Sequence, residues 1–143
     1  MDNTGLAPAR DDAIRASFAR QGMMSTMGAR IDRIASGRVV LSMPITPAID
    51  QQHGFAHAGA TFALGDSAAG YAALSLMEIG AEVLTVEMKV NLIAPAAGTR
   101  LIAEGEVVKP GRRLFVVRAT VRSEAGDGVL RDVALMQGTM IPA

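Results

Sequence analysis

Ala58-Gly59-Ala60-Thr61-Phe62-Ala63-Leu64-Gly65-Asp66-Ser67-Ala68-Ala69-Gly70-Tyr71-Ala72-Ala73-Leu74-Ser75-Leu76-Met77 decides how this chain folds. Asp66 is the only charged side chain in this run, and 12 of the 18 residues from Ala58 to Ser75 are Ala, Gly or Ser. The run is small rather than greasy, and a central Asp is costly in lipid, so a membrane span is a poor reading. It suits a helix buried on most sides, whose small side chains let the backbone of other elements come close. At 1.5 Å rise per residue a helix of this length reaches roughly 30 Å, about the diameter of a small domain. Gly65 and Gly70 weaken local helix propensity, so packing must hold the helix.

After the helix the hydrophobic period changes to two. Leu84, Val86, Met88, Val90 and Leu92 alternate with Thr85, Glu87, Lys89 and Asn91, which predicts a half-buried strand. Pro95 and Gly98 end it. Leu101 to Val108 reads as the next strand, Lys109-Pro110-Gly111 as a turn into Leu114 to Arg122, and Ala125-Gly126-Asp127-Gly128 as a turn into Val129 to Met140. Ahead of the helix, Ala29 to Ala35 and Val39 to Ile45 flank Ser36-Gly37 as a hairpin, and Asp12 to Gln21 suggests a short amphipathic helix. This order predicts a single α+β domain over residues 1–143, an antiparallel β-sheet wrapped around a long central helix. Such a sheet leaves edges and apolar surface that a second copy of the chain would bury.

At 143 residues, 50% hydrophobic and 20% charged, the chain can bury a core and is not disordered. Lys plus Arg and Asp plus Glu both number 14, so no global field draws it to nucleic acid or an anionic membrane. It has no cysteine, which excludes disulfides, thiolate zinc sites and a cysteine nucleophile. The N-terminus carries Asp2, Asp11 and Asp12 without the apolar run of a signal peptide, so a cytoplasmic location is expected.

Gln51-Gln52-His53-Gly54-Phe55-Ala56-His57-Ala58-Gly59 leads into the helix, and Asp66 follows His57 by nine positions. With Thr85-Val86-Glu87-Met88-Lys89-Val90-Asn91 and Ala94-Pro95-Ala96, these residues resemble the phenylacetate-degradation (PaaI-like) class of hotdog-fold acyl-CoA thioesterases. That class is marked by His-Gly-Gly and then an acidic residue inside the central helix. The motifs lie between about residue 50 and residue 122, and the predicted element order matches the hotdog fold across the chain. Here His57-Ala58-Gly59 replaces His-Gly-Gly, and Gln51 stands where some members have Asn. The resemblance implies an acyl-CoA substrate with no further cofactor, and a homodimer, assembling to a homotetramer, with active sites at the dimer interface. It also implies a hydroxyl at Thr85 that assists the carboxylate or a water.

A thioester leaves as a thiolate, and with a thiol pKa of about 8.5 its departure needs little help from an acid. One base and one oxyanion site would suffice. Asp66, in a low-dielectric helix interior, can act as general base toward water or attack the carbonyl itself. Ala58 and Gly59, at the helix N-terminus, offer N–H groups and a positive dipole end to an oxyanion, with Gln51 and His57 beside them as further catalytic candidates and His53 on the same loop toward substrate. Ala58 and Asp66 lie about 12 Å apart along a helix, too far to serve one carbonyl from one chain, so the site must combine two protomers. Lys109, Arg112, Arg113, Arg118 and Arg122 form a basic run without an acid, and Lys109, Gly111 and Arg112 are candidates for the CoA phosphates.

Other readings compete. Asp66 suits a structural carboxylate paired across an interface, the histidines suit turn-fixing hydrogen bonds, and the basic run suits an ordinary solvated face. His53 and His57 have the spacing of a helical zinc pair, but Gly54 takes the place of the zincin glutamate and no third ligand has suitable spacing. Gly65-Asp66-Ser67 would begin a serine-hydrolase scheme, except that both histidines lie upstream. A non-catalytic acyl-CoA binder and a hydratase or dehydratase are the functional alternatives. The acyl pocket is expected to draw on side chains such as Phe62 and Tyr71.

Overall fold

The computed structural model describes residues 5–143. Two helices, α1 (Pro8–Ala19) and α2 (Gly22–Thr26), precede a hairpin of β1 (Arg30–Ala35) and β2 (Arg38–Pro44). The long helix α3 (Ala58–Leu74) follows, then β3 (Val83–Leu92), β4 (Arg100–Lys109), β5 (Phe115–Glu124) and β6 (Leu130–Pro142). The strands form one antiparallel sheet in the order β1-β2-β4-β5-β6-β3. Helix α3 packs on β2 through β6, which is the α+β hotdog arrangement expected from the sequence.

The small residues of α3 serve the close approach anticipated for them. A Cβ on Gly105 of β4 would lie 2.3 Å from the carbonyl carbon of Ala68 and from the Ala69 nitrogen, so only glycine lets the sheet press on the helix backbone. Around this contact Leu64, Ala68, Ala69, Ala72 and Ala73 of α3 meet Leu41, Leu101, Ala103 and Val121, all fully buried. With ten of the 17 residues of α3 alanine or glycine, specificity comes from backbone proximity rather than from large interlocking residues.

Three expectations are corrected. The first helix begins at Pro8 rather than Asp12, because proline's fixed φ suits a first helical position, and α2 follows it unanticipated. Helix α3 stops at Leu74 rather than running to Met77. Ser75 ends it: its hydroxyl donates to the Ala72 carbonyl at 2.7 Å and accepts from the Gly37 N–H at 2.7 Å, tying the helix end to the β1–β2 turn.

The third correction concerns β3. Thr85 pairs with Met140 and Glu87 with Thr139, leaving Val86 as a bulge that shifts the inward face from odd to even positions. Val83 and Thr85 therefore face the helix before the bulge, and Met88 and Val90 pack on the core after it. Leu84 and Val86, read as inward by simple alternation, are each 56% exposed. Strand β3 is also a free edge of the sheet.

Candidate active site

The N-terminus of α3 is capped by His57, whose backbone is extended at φ −61° and ψ 140°. Its Nδ1 accepts the Gly59 N–H at 2.8 Å, and its carbonyl accepts the N–H groups of Ala60 and Thr61 at 3.0 and 3.1 Å. Among the described residues this leaves the Ala58 N–H as the one unpaired donor of the first turn. Gly59, expected to share that role, is a correction: its N–H is already occupied by the cap. An accepting Nδ1 also requires the imidazole proton to sit on Nε2, so neutral His57 presents a donor to its surroundings and has no free ring acceptor.

Gln51 folds back on its own turn. Its backbone N–H donates to the Phe55 carbonyl at 2.8 Å, its carbonyl accepts from Gly54 at 3.0 Å, and its side-chain Oε1 accepts the His53 N–H. Gly54 adopts φ +81°, the left-handed conformation that closes this loop. Gln51, Phe55, His57, Ala58 and Thr61 line a cavity of about 600 Å³ together with Leu92 to Ala96 and Val133. The side chain of His53 is not part of this wall.

Asp66 opens elsewhere. Its Oδ1 accepts a hydrogen bond from the Thr85 hydroxyl at 2.8 Å, the contact made possible by the bulge at Val86. Burial pushes the Asp66 carboxyl above its ordinary value, opposed by the weaker effect of the Thr85 hydrogen bond, which favours the ionised form. It lines a separate cavity of about 210 Å³ with Ser17, Gln21, Gly70, Tyr71 and Glu82 among its walls. The two cavities have no lining residue in common. One chain thus brings Asp66 to Thr85, and Ala58 to Gln51 and His57, but does not bring the two sets together.

A profile of the Thioesterase superfamily matches residues 53–129, a stretch that holds His57, Ala58, Asp66 and Thr85 and begins just after Gln51. The chain belongs to the thioesterase superfamily. A thioesterase family protein from Silicibacter pomeroyi is 52% identical, with 93% of this chain and 97% of that one covered and a TM-score of 0.90. A variant of the phenylacetic acid degradation protein PaaI from Thermus thermophilus is 29% identical, covering 85% and 98% of the two chains at a TM-score of 0.72. A 1,4-dihydroxy-2-naphthoyl-CoA hydrolase from Listeria monocytogenes is 24% identical over 72% of this chain and 84% of its own length. The protein is a hotdog thioester hydrolase of PaaI type. None of the described helices of this thioesterase is long and apolar enough to cross a membrane.

The basic run of the thioesterase divides in two. Arg118 and Arg122 are engaged by Glu106 and Asp132 on neighbouring strands, as on an ordinary solvated sheet face. Lys109 and Arg112 sit exposed at the β4–β5 turn and form no ion pair with a described carboxylate. A Cβ on Gly111 would lie 2.4 Å from the Leu114 carbonyl oxygen, so the turn needs glycine there. Phe115, just past the turn, pairs with Met140, which pairs with Thr85, so the turn lies at the same end of the sheet as the Asp66 cavity.

Sequence reading missed Ser17, Gln21 and Glu82 in the Asp66 cavity, and Leu92, Ile93 and Val133 in the Ala58 cavity. Their signal lies in tertiary placement: α1 folds back over α3 and the β3–β4 loop crosses the helix N-terminus. Of the two expected acyl-pocket aromatics, Tyr71 lines the Asp66 cavity and Phe62 lines neither.

Proposed function

We propose that this thioesterase hydrolyses acyl-CoA at two equivalent sites, each combining the Ala58 N–H of one protomer with Asp66 and Thr85 of its partner. The observation that carries this reading is where the two clusters stand along β3. Val83 and Thr85, at the start of the strand, line the Asp66 cavity, and Leu92, at its end, lines the Ala58 cavity. The free edge also exposes Leu84, Val86, Leu92 and Ile93, each more than half accessible. Two copies pairing antiparallel through this edge would bury those side chains and satisfy its backbone groups. Their two-fold axis exchanges the strand ends, so each Ala58 would meet the partner's Asp66. The domain spans the whole chain in this reading, and dimers pair further into tetramers.

In that site the thioester carbonyl oxygen lies against the Ala58 N–H, with the Gln51 amide and the His57 Nε2–H as neighbouring donors. The Asp66 carboxylate, oriented by Thr85, either accepts a proton from the water that attacks the carbonyl carbon or attacks that carbon itself, giving an anhydride that water then opens. Both routes form a tetrahedral oxyanion that the helix N-terminus stabilises and then expel CoA as a thiolate. Both leave a free acid. Lys109, Arg112 and the N–H groups of the Gly111 turn receive the CoA phosphates. No cofactor is needed, since CoA arrives with the substrate. The relation to a naphthoyl-CoA hydrolase supports a CoA thioester and makes aryl acyl groups part of the range to be tested.

The test is thiol release from short aliphatic, long aliphatic and aryl acyl-CoAs, followed with a thiol-reactive dye. Release by the parent protein that Asp66→Asn abolishes is the expected result. Absence of thiol release from every acyl-CoA would overturn it.

A further inference from the structure

We propose that Met140 is a positioning residue for Asp66: its thioether sulfur competes for the Thr85 hydroxyl and holds it when Asp66 carries a proton. This rests on Asp66 as the reacting carboxylate. Thr85 and Met140 are direct cross-strand partners on β3 and β6, so the sheet register fixes their contact. The Thr85 Oγ1 lies 2.8 Å from Asp66 Oδ1 and 3.2 Å from Met140 Sδ. Met140 is fully buried, and its methyl end lies over Gly70, where a Cβ would be 3.9 Å from the Met140 Cε. The sulfur is therefore held within one chain, and the contact forms without a second copy.

A hydroxyl has one proton to give, and a carboxylate and a thioether can only accept. Thr85 can thus serve Asp66 or Met140, not both. With Asp66 ionised the choice is one-sided, because a hydrogen bond to a charged oxygen is about twice as strong as a neutral one and a thioether accepts weakly. Proton uptake cancels that advantage. The carboxyl oxygens become ordinary acceptors, or the new O–H donates to Thr85 Oγ1, and the Thr85 proton turns to the sulfur. No atom leaves its place in this exchange: the proton taken from water stays on the carboxyl, and the Thr85 proton stays on its oxygen and changes only direction. An acceptor that serves chiefly the protonated state stabilises that state. Thr85 and Met140 therefore act on Asp66 in opposite senses, Thr85 favouring the carboxylate and Met140 the acid, and burial acts in the same sense as Met140. The other titratable groups around the carboxyl are Tyr71 on α3, held by the Gln21 amide of α1, and Glu82 ahead of β3, 3.8 Å from Arg20. The partner's His57 joins them in the paired assembly. A change at Met140 leaves all of these in place.

The experiment titrates Asp66 in two ways, by the acid limb of kcat/KM for benzoyl-CoA and by carbon NMR of aspartate-labelled protein, in which the Asp66 resonance is the one lost in Asp66→Asn. The variants are Met140→Leu, which conserves volume, Thr85→Val, the two combined, and Met43→Leu as a buried methionine on β2 away from the site. Met140→Leu should move the titration to lower pH by about 0.3 to 0.5 unit, a two- to threefold fall in proton affinity, as for a weak net hydrogen bond. Thr85→Val should move it upward, and adding Met140→Leu to Thr85→Val should move it no further, since the shared hydroxyl is gone. Met43→Leu should titrate with the parent. A Met140→Leu titration at or above the parental pH, or an equal shift with and without Thr85, would overturn the assignment of Met140 while an inactive Asp66→Asn keeps the catalytic reading. Near-parental turnover by Asp66→Asn would refute the catalytic reading, and the positioning role with it, whatever the carbon titration shows.

Discussion

Replacing Ala58 with proline tests the proposed oxyanion donor with little disturbance to the fold. Ala58 is the first residue of α3, and its N–H has no partner among the described residues, so proline removes no existing hydrogen bond. The residue before a proline must be extended, and His57 already is, at φ −61° and ψ 140°. Proline is favoured at this first helical position, and by restricting the unfolded chain it should leave stability unchanged or raise it by about 0.4–1 kcal/mol. The catalytic effect should be far larger. Loss of one oxyanion donor costs about 2.7–4 kcal/mol in the barrier, or roughly 10²- to 10³-fold in kcat. Because the cap already occupies the Gly59 N–H, no second backbone donor of the first turn can take over. The assay is steady-state thiol release with parallel measurements of Tm and oligomeric state, and with Ala58→Gly, which keeps the N–H, as an active control. A folded, assembled Ala58→Pro enzyme with parental kcat would refute the assignment.

Asp66→Asn should assemble normally and lose roughly 10²- to 10⁴-fold in kcat, the contribution of a positioned base; near-parental turnover would remove Asp66 from the mechanism. Because Asp66 must be ionised to react and burial raises its pKa above 3.8, kcat/KM should rise with pH along a limb above the ordinary carboxylate range. Thr85→Val deletes the hydrogen bond that favours the ionised form, so that limb should move to higher pH, and a move downward in the pH profile would contradict the reasoning. Arg112→Ala should raise KM for acyl-CoA while leaving hydrolysis of a truncated pantetheine thioester nearly unaltered. Equal damage to both substrates would assign Arg112 a structural role.

The central helix was legible because its composition is extreme: a chain of Ala, Gly and Ser around one carboxylate has few stable placements besides a buried helix under close backbone contact. The contact at Gly105 realises that reading. Asp66, Ala58 and their separation along the helix were legible for the same reason, since helix rise is fixed. What periodicity could not show was the bulge at Val86, which depends on how β3 meets β6 and alone turns Thr85 toward Asp66. The cap was equally hidden. Whether His57 or a substrate takes the Gly59 N–H is set by a side-chain rotamer, not by residue type. The basic run failed as a unit because strand pairing opposes Arg118 to Glu106 and sets Arg122 against Asp132, and that pairing depends on the hairpin registers. Ser17 and Gln21 lacked any local signal, since α1 reaches the Asp66 cavity only through tertiary folding.

The claim that each site is shared between protomers is tested most directly by mixing two inactive variants. Asp66→Asn and Ala58→Pro proteins are unfolded together, refolded as a 1:1 mixture and assayed for thiol release. If sites form between chains, each heterodimer regains one intact site, and with random pairing activity should return to about one quarter of parental. Each variant refolded alone should stay inactive. A mixture containing heterodimers yet no more active than the separate variants would show that Ala58 and Asp66 do not act together across the interface.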